Sequence, residues 1–412
     1  MGIYVQGGFF FSEEREVAPA TTQPPMDIAY EKSEALTLLN EIREAIGMNT
    51  LIQEESLDRA AQAHADYLIA NHVATHDETP GLPKFTGVTP AERAIRAGYL
   101  SRQVSENLSA HNSDAQSSID GLFSAIYHRF GFLDTWIDEI GVGVTQNPQG
   151  KKENAFVYVM GNSQINALCQ ERPFQGYGRY VYGICKEKEH KIAEKRFLKA
   201  RDANKWLNPK LILYPYDGQT DVPPAFYDES PDPLPDYDVS GFPISVIFND
   251  YFFKHVTLSS FTLSSQGKTL HHVRLLTKEN DPNKRLTDHQ FALMPLERLR
   301  YNTQYTAKIR YQVDGKSGEV VWHFHTKKPL YRMVRITQEE TTVTMKRGET
   351  ILLYLVPQNG HDMQKQVIFP DNVHITFLDN HTLRVSLLNN DCRSFDIKSD
   401  HYKIHVRIES SL

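Results

Sequence analysis

Apolar residues in this chain change their period partway along, from helical spacing to alternation. Ala35, Leu38, Leu39, Ile42 and Ile46 recur at three and four positions, with Ser33 as candidate N-cap and Gly47 as a stop. Ser56 is the candidate cap of a second helix, in which Leu57, Ala60, Ala61, His64, Ala65 and Leu68 share a face and Asn71 lies near the end. Thr89-Pro90-Ala91-Glu92 combines a capping box with proline at the first helical position, and Gly98 ends that helix. A fourth helix is expected over 115–126. Then Ile140 to Val144 and Phe156 to Met160 read as short strands around an Asn-Pro-Gln-Gly turn. Helices first and strands after predict an α+β domain built in layers.

Beyond it, residues 186–206 are charged with a thin apolar stripe (Ala193, Phe197, Ala200), which predicts a connecting helix. The next stretch is β in character. Tyr305, Ala307, Ile309, Tyr311 and Val313 alternate with polar residues, 314–318 turns the chain, and Val320, Trp322 and Phe324 alternate back, as in a hairpin of a β-sandwich. Further strands are expected over 351–356, 374–378, 383–387 and 403–408. A length of 412 residues, at roughly 100 to 200 per domain, accommodates these pieces. The predicted organisation is a flexible segment over 1–29, an α+β domain over 30–163, a connector over 164–206, a β-sandwich over 207–330 and a small β domain over 331–412.

Composition narrows the partners. A formal charge of −6 spread over this length offers no basic field for a phosphate backbone, so nucleic acid is excluded as an expected partner. No apolar run approaches the ~20 residues of a membrane helix, so no transmembrane segment is expected. Cys169 and Cys185 flank a short Gly/Tyr segment, while Cys392 stands apart. A 169–185 disulfide would contribute about 3 kcal/mol and implies an oxidising compartment; two buried free thiols in a reduced cytosol is the alternative. Residues 1–12 lack a basic region and a small-residue cleavage site, and 13–26 read as a Pro/Thr/acidic lead-in. Export would then require a signal or anchor removed from this chain.

Several short pieces follow one another in a telling order: Asn40 and Arg43, the Ala-rich second helix, Asn71 to His76, Gly98-Tyr99, Ser105-Glu106-Asn107-Leu108, Tyr127-His128-Arg129, and Gly141-Val142-Gly143-Val144. This ordered set resembles the CAP superfamily (cysteine-rich secretory proteins, antigen 5 and pathogenesis-related proteins), in its bacterial SCP-like form. The resemblance implies an α-β-α sandwich followed here by two β-rich domains, and a cleft lined by two histidines and two acids. His76, Glu106 and His128 map onto three of those positions. Where the eukaryotic branch carries the fourth acid, this chain has Leu122-Phe123-Ser124. Glu78 and Asp134 are the candidates to fill that place. The segment from Tyr214 to Phe248, closing with Trp322-His323-Phe324, resembles bacterial Ig-like domains.

Two imidazoles and a carboxylate can hold Zn²⁺ or another divalent metal with an open position for water, or can form a hydrogen-bonded polar cluster that pins helices together. His76, His128 and Glu106 are accordingly the candidate metal ligands, and Zn²⁺ or another divalent metal is the candidate cofactor. His64 lies on an apolar helix face and is expected to be a satisfied core histidine. His323 and His325 are expected on the polar face of a strand. Ser124 and His128 would be i,i+4 neighbours on a continuous helix, but no orienting acid has a defined place beside them. The expected protein is an extracytoplasmic, secreted or surface-attached bacterial binding module for a protein, lipid or cell-envelope ligand. A metal-dependent hydrolase and a lipid- or sterol-binding protein are the alternatives.

Overall fold

Asp27 opens the first helix, its carboxylate accepting from the Tyr30 N–H, and α1 runs Ile28–Ile46 until Gly47 turns left-handed at φ 84°. The helix thus starts ahead of Ser33, because the aspartate satisfies the free N–H groups of the first turn earlier. Helix α2, Glu55–Asn71, is capped by Glu54 rather than Ser56: its carboxylate accepts from both the Leu57 N–H and the Ser56 hydroxyl. Thr89, Pro90 and Gly98 bound α3, Pro90–Ala97, as predicted. These elements belong to a computed structural model that describes residues 14–17, 24–150, 153–227, 229–388 and 393–409.

The helix expected over 115–126 is present and ends at Ser124, and a second helix follows it. Asp114 and Ser117 cap α4, Ala115–Ser124, reciprocally. At Ala125 the backbone becomes extended (φ −82°, ψ 115°), and α5, Ile126–Phe132, restarts in a new direction. The two N–H groups opening α5, of Tyr127 and His128, are satisfied by the Glu229 carboxylate from far along the chain. That external cap is what lets the helix break and resume.

A four-stranded sheet runs in the order Ile52–Gln53, Glu139–Thr145, Ala155–Gly161, Ser105–Ala110. Ala155, Val157 and Val159 pack with Leu57, Ala61, Ala65 and Leu68 of α2 on one face. On the other face the Tyr158 ring meets Phe132 of α5 edge-on, and its hydroxyl pairs with Ser118 of α4. Every residue of Ala155–Gly161 is buried, as expected for the middle of an α-β-α sandwich. Arg43 and Asn40 brace this layer: Arg43 donates to the Asn49 and Phe132 carbonyls, and Asn40 bonds both the N–H and the C=O of Leu51.

Helix α6, Ser163–Leu168, leads to Cys169, which is disulfide-bonded to Cys185. The connecting helix α7 covers Glu194–Leu207 and not 186–206. With Cys185 tethered, the chain turns at once through the Gly183 N–H to Lys188 C=O bond and then pairs Tyr180–Val181 with Ile192–Ala193.

Two sheets follow. One runs Val273–Leu276, Gln290–Pro295, Ile244–Phe248, Leu211–Tyr214; the other Lys268–Thr269, Val256–Ser265, Gln304–Val313, Lys316–Thr326, Gln219–Val222. The predicted hairpin is present with Tyr305 opposite Phe324 and Ala307 opposite Trp322. Phe248 of the first sheet meets Tyr311 of the second at 5.0 Å between ring centres, so the sheets face each other as a sandwich.

By its contacts the chain forms two units: residues 21–235 with 240–327, and residues 1–20 and 236–239 with 328–412. In the second unit, one sheet orders Glu14–Val17, Val367–Pro370, Ser394–Ser399, Lys403–Glu409, Glu340–Lys346, and another Arg332–Ile336, Thr350–Leu355, Thr382–Leu387, Val373–Asp379. Their core includes Val343, Met345, Ile351, Leu353, Val385, Ile397 and Ile404. Glu14–Val17 lies within the segment expected to be flexible; antiparallel pairing to Val367–Pro370 makes it a strand. Cys392 lies outside the described residues.

Candidate functional site

Three separate elements carry the histidines and acids that the sequence singles out. His76 lies in the segment after α2, Glu106 in the strand Ser105–Ala110, and His128 in α5. Asn107, next to Glu106, donates its side-chain N–H to the His128 carbonyl at 2.7 Å, which ties the strand to the helix. The His76 and His128 rings lie nearly parallel (26°), 6.4 Å apart between centres. The side chain of His76 is 43% exposed and that of His128 14%, so the pair borders solvent while its carboxylates do not.

Glu106 is buried and fully engaged. One oxygen accepts from His76 Nδ1 at 3.0 Å and the other from Arg93 Nη2 at 2.7 Å. Burial pushes this carboxyl up, but the His76 hydrogen bond and the Arg93 and His64 charges outweigh it and hold it below the ordinary value of 4.5.

The acid partner of His128 is Glu229. Its Oε1 accepts from His128 Nδ1 at 2.7 Å, from the His128 N–H at 3.0 Å and from the Tyr127 N–H at 2.9 Å. Its other oxygen is buried and has no hydrogen-bond partner. Glu229 comes from the proline-rich loop of the β region, about 100 positions from its partner (|i−j| = 101). Sequence spacing offers no path to it, since Glu229 is one of several acids among the prolines of 223–238.

Neither acid proposed for this place occupies it. Glu78 lies behind the cleft, accepting from His64 Nδ1 at 2.9 Å and from the Gly87 N–H at 3.2 Å. Asp134 caps the Trp136 N–H, and burial raises its carboxyl above the ordinary 3.8. Its charge acts on Arg43.

Beneath the histidine pair lies a second polar layer. His64 is fully buried; Nδ1 meets Glu78 and Nε2 meets the Thr75 carbonyl at 2.9 Å. Both ring nitrogens therefore have a buried polar partner, and the ring is held from two sides. Arg93 then lies between Glu106 and, at 3.8 Å, Glu78. Arg93 and His64 thereby face the two buried carboxylates, although among the described residues Arg93 Nε itself is buried without a hydrogen-bond partner.

The neighbouring residues of α5 lock onto the β region as well. The Tyr127 hydroxyl donates to Asp281 and accepts from Asn283. Arg129 donates to the Pro243 carbonyl at 2.8 Å and the Ser245 hydroxyl at 3.0 Å, stacked between Tyr214 and Phe242. Burial lowers its guanidinium to about 10, which leaves it a cation at neutral pH.

Ser124 is not aligned with His128, because the break at Ala125 intervenes and its hydroxyl donates to the Gly121 carbonyl at 2.7 Å. His323 is 47% exposed, 3.8 Å from Asp217. Among the described residues no group of three or more His, Cys, Asp or Glu is placed to hold a metal ion. None of the described helices is long and apolar enough to cross a membrane.

Among solved structures, an outer surface protein from Borrelia burgdorferi is 19% identical over 33% of this chain and 95% of its own, with a TM-score of 0.29. An extracellular protein containing an SCP domain from Bacillus anthracis str. Ames is 20% identical over 34% of this chain and 44% of its own, with the same TM-score of 0.29. For that protein, the match spans less than half its length. A titin fragment is 10% identical over 48% of this chain and 98% of its own, with a TM-score of 0.17. No curated protein matches the chain. Residues 36–162 match the family model described as CAP, the cysteine-rich secretory protein family, a range that encloses α2 to α5 and the strands carrying Glu106 and Gly141. Over those residues the chain carries a CAP domain.

Proposed function

We propose that this chain is an extracytoplasmic binding module whose ligand enters the CAP cleft between His76 and His128. The observation that carries this reading is the pair of imidazole–carboxylate dyads: Glu106 holds Nδ1 of His76 and Glu229 holds Nδ1 of His128, with the rings 6.4 Å apart. A carboxylate only accepts, so each ring keeps its proton on Nδ1 and leaves Nε2 as the lone-pair atom. Nε2 atoms oriented this way suit a divalent cation or a ligand that donates a hydrogen bond. The cleft supplies two such donors, so a cation held there would take its remaining ligands from water or from the bound molecule, and affinity would be modest. The disulfide between Cys169 and Cys185 supports an oxidising, extracytoplasmic setting.

For the lipid alternative, a pocket lined by Leu68, Ile69, Val73, Ala110 and Ala155 has a volume of about 120 Å³. That is below the roughly 300–1,000 Å³ of ordinary small-molecule sites.

Calorimetric titration with Zn²⁺ on the wild type and on His128→Ala tests the reading. Binding is expected for the wild type and loss of it in the variant, with weakening as acid protonates the imidazoles. No heat for the wild type, or equal heat for both, overturns the cation form of the proposal. Metal-dependent turnover of a peptide or ester, lost in His128→Ala, would replace it with the hydrolase.

A further inference from the structure

Glu229 is an acid that the CAP segment itself does not contain. It lies beyond the 36–162 match, in the loop between the strand Ala225–Phe226 and the strand Ser240–Gly241. Its side chain is completely buried. Three donors converge on one oxygen: the imidazole Nδ1 and the two N–H groups that open α5. The other oxygen is buried, so the whole carboxylate is held by its surroundings. Those surroundings are the Tyr127–Asp281–Asn283 and Arg129–Pro243–Ser245 contacts on either side.

We infer that Glu229 is the positioning residue for His128, fixing its ring as the Nδ1–H tautomer, and that the β-sandwich region thereby sets the ligand affinity of the CAP cleft. A free imidazole in water distributes its proton between the two nitrogens. An acceptor-only group on Nδ1 confines the proton there and leaves Nε2 to the ligand. The carboxylate also fixes ring orientation through the same oxygen that caps the helix backbone. A carboxylate behind a ligating histidine acts in this way, and losing one typically costs 10- to 100-fold in metal affinity. Because binding and docking share one contact, each favours the other by the same factor. The β region is then part of the site rather than an appendage.

This inference rests on reading the cleft as a binding site, but its first test does not. Nitrogen-15 NMR of the histidine rings in the full chain, at a pH where they are neutral, reads the tautomer directly. In the wild type His128 is expected as Nδ1–H; in Glu229→Ala the proton moves toward Nε2. Glu229→Gln keeps the volume and an oxygen for the backbone N–H groups, and is expected to shift the tautomer in the same direction by less. If Glu229→Ala does not fold, Glu229→Gln alone decides. An unchanged His128 tautomer in the folded variants overturns the inference. Zn²⁺ titration then separates the two claims: affinity about 10-fold or more lower in Glu229→Gln supports both. Equal affinity in variant and wild type overturns the coupling. No binding in the wild type sinks the cation reading, while the tautomer result still decides the role of Glu229.

Discussion

Gly141 lies directly beneath Leu57: a β-carbon on the glycine would fall 1.9 Å from the Leu57 carbonyl carbon, inside the backbone of α2. Gly143 repeats the relationship with Ala61 at 2.2 Å. The Gly-Val-Gly-Val run is therefore a seat for the helix on the sheet. Gly141→Ala is expected to lower stability by about 3 kcal/mol or more, since backbone on both sides must separate. Denaturant unfolding of the purified variant checks this, and a wild-type midpoint would show that α2 can lift away at little cost.

Replacing His64 by alanine leaves Glu78 facing Arg93 at 3.8 Å and removes the donor to the Thr75 carbonyl. A buried acceptor left without its donor costs about 1–3 kcal/mol, and the lost ring leaves a cavity besides. The expected loss is of that size, measured by urea or thermal unfolding. A loss below about 1 kcal/mol would mean that water replaces the imidazole without penalty.

Acid should unfold the chain partly through Glu106. Its carboxyl is held below 4.5 in the folded state, so the unfolded chain takes up the proton first. The stabilisation is present above 4.5 and is lost as pH falls through the lower, folded value. The stability difference between wild type and Glu106→Gln is therefore expected to be largest near neutrality and to shrink below pH 4.5. A difference that stays constant down to pH 3 would contradict the lowered carboxyl.

Reducing the Cys169–Cys185 bond, which spans 16 positions, opens a loop worth about 3 kcal/mol in the chain-entropy account. Unfolding with and without reductant measures this directly, and unreduced digests should contain the linked peptide pair by mass spectrometry. Two free thiols under oxidising conditions would remove the support for an extracytoplasmic setting.

Much of the architecture was legible because it is local. Helical spacing marked α2 and α3, alternation marked the 304–326 hairpin, and the ordered pieces around His76, Glu106 and His128 marked the CAP segment. Where the structure departs from the local pattern, one cause recurs. Helix α7 starts late and Glu14–Val17 is a strand because of partners far along the chain: Cys169, bonded to Cys185, and Val367–Pro370. The carboxylate on His128 is out of the sequence's reach for the same reason: Glu78 and Asp134 lie near the histidines along the chain, whereas backbone donors and the imidazole hold Glu229 there from another region.

The strand pairing of Glu14–Val17 with Val367–Pro370 makes the second unit discontinuous in sequence, with the first unit threaded between its parts. On the ribosome, Glu14–Val17 emerges early and waits through the synthesis of more than three hundred residues before its partner exists. Residues 21–327 have by then left the tunnel and can assemble their own cores. An unpaired strand edge is exposed throughout that interval, so delay late in translation is the moment at which this chain is most open to mispairing with a copy of itself.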